Sequence, residues 1–187
     1  MIRLAIFKKE AYCIHEKDNN RFPGLGLVVL VPVIVVITLW LDARNDDGPS
    51  VVFRGGIFSS GELYQGPEPD WSFTDDIRLV ELQLNEAQDS RTTLIIASNG
   101  RIFVTCDFMG STVGRLWKRW AVHAVEGNGA AELRIGDIRY ERTLKRLTDG
   151  PEIDWVIEKK IRKYGSLINR ELIASGEIWV FEIAPRV

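Results

Sequence analysis

LIIASNGRIFVT, residues 94–105, sets an Asn-Gly pair between two runs rich in β-branched and aromatic side chains. Both turn residues accept a positive φ, so the pair closes a two-residue hairpin whose twist matches its strands. An antiparallel ladder therefore runs from Thr92–Ala97, through Asn99-Gly100, into Arg101–Thr105.

Upstream, IRLVELQL (77–84) mixes apolar and polar positions as a strand does. GPEPDWSF (66–73) reads as a fixed loop before it, and the glycine-containing stretch 51–63 as a short strand or irregular entry. Downstream, CDFMGSTVG (106–114) is a loop, and RLWKRWAVHAVE (115–126) has Leu116, Trp120 and Ala124 at helical spacing, ended by Asn128-Gly129. A second hairpin follows: Ala131–Ile135, a Gly136-Asp137 turn, then Ile138–Leu147. TDGPE (148–152) opens a helix that runs to Tyr164 and stops at Gly165. Ser166 caps a short helix to Ala174, and IWVFEI (178–183) is a central or closing strand. The fold class is mainly β with flanking helices (α+β).

FPGLGLVVLVPVIVVITLWL, residues 22–41, contains no charged side chain. As a helix it reaches about 30 Å, a bilayer's hydrocarbon thickness, and satisfies its own backbone. Trp40 sits near one end, where an indole suits the interface. A cleaved signal would have a shorter apolar core and small residues after it, whereas LWLDARNDD offers only Ala43. A retained single span is expected. Residues 1–21 carry five basic side chains against two, Arg44 and Arg54, in 42–61. The N-terminus is thus expected in the cytoplasm and the C-terminal domain in the periplasm or outside the cell. The expected segments are a cytoplasmic tail (1–21), the span (22–41), a linker and entry (42–65) and a soluble domain (66–187).

The 187 residues carry a net charge of −2, and the head contributes positively, so the domain is acidic and a poor nucleic-acid binder. Cys13 and Cys106 fall on opposite sides of the span, as do His15 and His123, which argues against a disulfide or a shared metal site. HExxH, P-loop and GxSxG motifs are absent.

The run from Asp70 to Asp149 resembles the split β-barrels of the pyridoxamine-phosphate-oxidase-like superfamily. The resemblance rests on Asp70-Trp71, LIIASNGRIFVT, KRWAVHAVEGN (118–128) and AELRIGDIRYERTLKRLTD (131–149). It implies a split β-barrel behind a transmembrane helix, a homodimer, and a site for flavin mononucleotide (FMN) or a deazaflavin. On the same grounds Ser111, Thr112, Arg115, Lys118 and Arg119 are the expected phosphate contacts, since a dianion seeks cations and N–H donors together. His123 stands where the family pattern has Asn, and Asn128-Gly129 replaces its Pro.

Each candidate has a structural alternative. Lys118 and Arg119 also suit a solvated helix face. Trp117 and Trp120, three apart, share a side of one continuous helix, with Trp120 for the core and Trp117 for a planar ring. His123 and Cys106 are first packing residues, then candidates for acid–base or thiol chemistry. Trp71 and Trp155 have no assigned chemistry. Two functions follow: a membrane-anchored, non-catalytic binding or assembly module, or a flavin- or deazaflavin-dependent oxidoreductase passing hydride to an unknown acceptor. The first is preferred because His123 departs from the pattern and flavin nucleotides are mainly cytosolic.

Overall fold

The computed structural model describes residues 23–49 and 54–186, with side chains from residue 28 onward in the first stretch. The expectations for the head 1–21, with Cys13 and His15, for Phe22 and for 51–53 lie outside the described residues. The chain divides into two compact units, Met1–Ile37 and Thr38–Val187.

Helix α1, Pro23–Asn45, is long and apolar enough to cross a membrane. Its side chains from Val28 to Leu41 are exposed all round, and Pro32 lies inside it. The helix outlasts the apolar stretch because Asn45 Nδ2 donates to the Leu41 carbonyl at 2.9 Å, satisfying a last-turn acceptor.

The second unit is built on one mainly antiparallel sheet. Its strands are β1 (Glu62–Leu63), β2 (Leu79–Leu84), β3 (Asp89–Leu94), β4 (Ile96–Ser98), β5 (Arg101–Cys106), β6 (Ala130–Ile135), β7 (Ile138–Leu147) and β8 (Trp179–Pro185). The spatial order is β3-β2-β6-β7-β8-β5-β4, with β1 added parallel to the start of β7. The sheet curls into a half-barrel, and its first and last strands, β3 and β4, are separated in the chain by Ile95 alone. The single run expected over Thr92–Ala97 is thus two strands with a corner between them. Helix α4 (Pro151–Tyr164) holds the corner: the Ile95 carbonyl accepts from Tyr164 Oη at 2.6 Å and from Lys163 Nζ at 3.1 Å. These bonds satisfy an acceptor that the bend takes out of the ladder.

Both predicted hairpins are present. Ser98 pairs with Arg101 around Asn99 (φ 51°) and Gly100 (φ 70°), and Ile135 pairs with Ile138 around Gly136 (φ 60°). The strand β8 lies between β7 and β5, a central place that suits its continuous apolar run.

Alternation sorts the side chains into two cores. Ile102, Val104 and Cys106 of β5 join Leu82, Leu133, Phe181 and Ile183 in the concave core, which Trp71 and helix α3 (Arg119–Glu126) close with Trp120, Ala121 and Ala124. Phe103 points the other way, with Ile96 and Val180, against Ile153 and Val156 of α4 and Ile173 of α5 (Arg170–Ala174). Helix α4 stops at Gly165, in the left-handed conformation, as expected. The second short helix starts later than the sequence suggested, because Asn169, not Ser166, accepts the capping bond, from Leu172 N–H at 2.8 Å. The loop expected over 66–73 gives way to a 3-10 turn, Trp71–Asp76, because the Asp70 carboxylate caps Ser72.

Candidate functional site

The five expected phosphate contacts lie on a short element that follows β5. After Cys106 the chain turns outward through Asp107, Phe108 in a positive-φ conformation (65°), and buried Met109, whose N–H donates to the Glu177 carbonyl at 2.8 Å. Ser111 then caps helix α2, Thr112–Trp117, its Oγ accepting from Gly114 N–H at 2.9 Å. Gly114 is required here: a Cβ would come within 1.7 Å of the Phe108 carbonyl oxygen. The helix therefore rests on the Phe108 backbone.

The continuous helix expected over 115–126 is broken at Lys118 (φ −107°, ψ 41°), and α3 starts anew at Arg119. This separates the two tryptophans that were expected to share a face. Trp120 enters the concave core, its ring 5.5 Å from that of Phe181 and tilted 41° to it, whereas Trp117 stands in solvent. Val113, Leu116 and Trp117, spaced i, i+3, i+4, form one face of α2, and with Phe108 they are 66–76% exposed.

Cations surround this face. Arg115 and Arg119 are exposed, and Lys118 Nζ lies 5.5 Å from the Phe108 ring centroid. Arg54 Nη2 donates to the Trp117 carbonyl at 3.3 Å, placing a positive charge at the negative end of α2. Among the described residues no side-chain hydrogen bond or ion pair joins any two of the five expected contacts; Arg115 N–H donates to the Ser111 carbonyl at 3.0 Å within the helix backbone, and the Ser111 hydroxyl is occupied by its cap. They share one largely exposed element. Two cavities among the described residues have other linings. One of about 230 Å³ lies between the 3-10 turn, the β4–β5 turn and α4, with Trp155, Asp75 and Asn99 among its walls. Another, of about 390 Å³, lies on the sheet beside Leu79, Thr92 and Ile135.

The remaining candidates are structural in their placement. Cys106 is buried with its Sγ 3.4 Å from Met109 Sδ, and burial pushes its thiol pKa up to about 12. It is a packing residue and not a nucleophile. His123 is half-buried on α3, where its carbonyl accepts the Gly127 N–H that ends the helix. Trp71 is buried, its Nε1 donating to Glu68 at 2.6 Å and the Arg142 guanidinium lying 4.9 Å from its ring.

No family model matches this chain, and no curated protein does. It is similar to a solved structure described as a domain-swapped dimer. The likeness covers 57% of this chain and 80% of that one, at 17% identity and a TM-score of 0.44.

The exposed Phe108, Val113 and Leu116 and the cap from Arg54 escaped the sequence reading. For Val113 and Leu116 the signal was present, as apolar residues that with Trp117 fall at i, i+3, i+4 inside a basic segment.

Proposed function

We propose that this chain is a single-pass, membrane-anchored half-barrel that serves as a non-catalytic binding or assembly module, and that α2 with Phe108 is its binding surface. The observation that carries this reading is the open apolar face of Val113, Leu116, Trp117 and Phe108 beside Arg115, Lys118 and Arg119. Apolar side chains gathered in one rimmed patch mark interaction sites, whereas single exposed ones need no explanation. Burying a Leu- or Phe-sized side chain is worth about 1.5–3 kcal/mol, so covering this face would support a real association.

In this reading α1 spans the bilayer with residues 1–21 in the cytoplasm and the half-barrel on the far side. The excess of basic residues before the span supports that orientation. Protease digestion of sealed vesicles tests it: the half-barrel is protected in inside-out vesicles and cleaved in right-side-out ones. Pairing with a second copy is a further proposal from the split-barrel resemblance, read by light scattering of the detergent-solubilised chain.

The flavin- or deazaflavin-dependent oxidoreductase is the second reading. It is favoured by one feature, an open indole, Trp117, among three cations that could hold a ring and its phosphate. Titrating the full chain with FMN decides between them. The binding-module reading expects no change in flavin absorption or fluorescence. Tight binding that is lost in Lys118→Ala and Arg119→Ala would put the oxidoreductase in its place.

A further inference from the structure

We infer that the face formed by α2 and Phe108 docks on the surface of an anionic lipid bilayer; this rests on reading that face as a binding surface and α1 as a membrane anchor. Residues 108–119, FMGSTVGRLWKR, hold three cations and no acidic side chain, in a chain whose net charge is −2. Attraction to an anionic surface is therefore a property of this patch, not of the protein as a whole. Asp107, one residue earlier, is tied to Lys160 at 2.7 Å.

The distribution of side chains matches an interfacial element. Val113, Leu116, Trp117 and Phe108 supply the apolar side, and Trp is the residue that favours the headgroup level. Lys118 and the arginines can lay their stems along apolar surface and keep their charges at the phosphates. A free peptide of this length would not be helical. Here the Ser111 cap, the Met109–Glu177 bond and the seat of Gly114 on Phe108 hold it in shape, so docking costs little ordering entropy. A chain anchored by α1 also meets the bilayer at high effective concentration, so a weak contact suffices.

A second copy fits the face less well. A two-fold interface would set Arg115, Lys118 and Arg119 against the same three cations. An acidic protein partner shares the charge logic but leaves the placement of Trp117 and Phe108 without a reason.

The test uses the full chain with Cys13→Ser and Leu116→Cys, labelled at position 116 with an environment-sensitive dye; buried Cys106 stays unlabelled. It is reconstituted in nanodiscs of phosphatidylcholine, with or without phosphatidylglycerol. The expected result is blue-shifted emission quenched by spin-labelled lipid in the anionic discs. Replacing Arg115, Lys118 and Arg119 by Gln should weaken docking on the order of 100-fold, three cations' worth of attraction to an anionic surface. Emission that stays solvent-like in both discs would overturn the inference. So would shielding in lipid-free detergent that grows with protein concentration: the face would then bind a second copy, and the binding-module reading would survive. Shielding by added FMN would instead remove that reading and this inference with it.

Discussion

The Lys160 ammonium, with no exposed surface, lies 2.7 Å from Asp107 Oδ1, joining α4 to the end of β5 just before the outward turn at Phe108. A buried charge that loses its partner is costly, whereas loss of both charges is not. Asp107→Asn should destabilise the domain by about 3 kcal/mol. Lys160→Met should cost less, and the double variant less than Asp107→Asn alone. Thermal unfolding followed by circular dichroism in detergent reads all three, and equal losses would remove the pair from the account.

Asp47 carries a pH-dependent part of the stability. Partial burial raises its pKa, but the Ser60 hydroxyl, the Ser59 and Ser60 amides and Arg134 together outweigh this and hold it well below its ordinary 3.8. A depressed carboxyl contributes stability that is complete above its unfolded value and fades as pH falls toward the folded one. Asp47→Asn should therefore lower the melting temperature at neutral pH. The gap from wild type should narrow in acid below the ordinary value of 3.8. A gap that is constant with pH would contradict this.

Cys106 should not react with maleimide or iodoacetamide in the native chain, since burial raises its thiol pKa to about 12 and leaves little thiolate. Mass spectrometry of the Cys13→Ser variant should find labelling only after denaturant is added.

Arg142 is nearly buried: its Nη1 is 2.8 Å from Glu68, and its guanidinium lies over Trp71 at 4.9 Å and Tyr140 at 5.6 Å. Lysine keeps the charge but loses the planar guanidinium over the two rings. Arg142→Lys should cost about 1–2 kcal/mol, with a change in near-ultraviolet circular dichroism from Trp71. A melt unchanged from wild type would show that the stack contributes nothing.

The hairpins at Asn99-Gly100 and Gly136-Asp137 and the helix stop at Gly165 were legible because few residues tolerate the backbone these turns need. The corner at Ile95 was not, since TTLIIA is as apolar through the bend as on either side, and the groups that stabilise it, Lys163 and Tyr164, come from far along the chain. The break at Lys118 was hidden for a related reason. Leu116, Trp120 and Ala124 keep helical spacing across it, yet Leu116 faces solvent while Trp120 and Ala124 face the core. Periodicity tells which side chains share a face and leaves open whether anything covers it. The resemblance pointed to Lys118 and Arg119, and of the apolar face beside them only Trp117 was a candidate.

The corner at Ile95 also governs how the domain comes apart. In an open sheet an outer strand can peel away and leave the rest standing. Here the two outermost strands are one segment, so pulling on either tugs at the other, and Gly55 further clasps β3 through Ser90. The half-barrel behaves like a belt fastened with its own end: it stays closed under local strain, and once the buckle at Ile95 slips it releases as a whole.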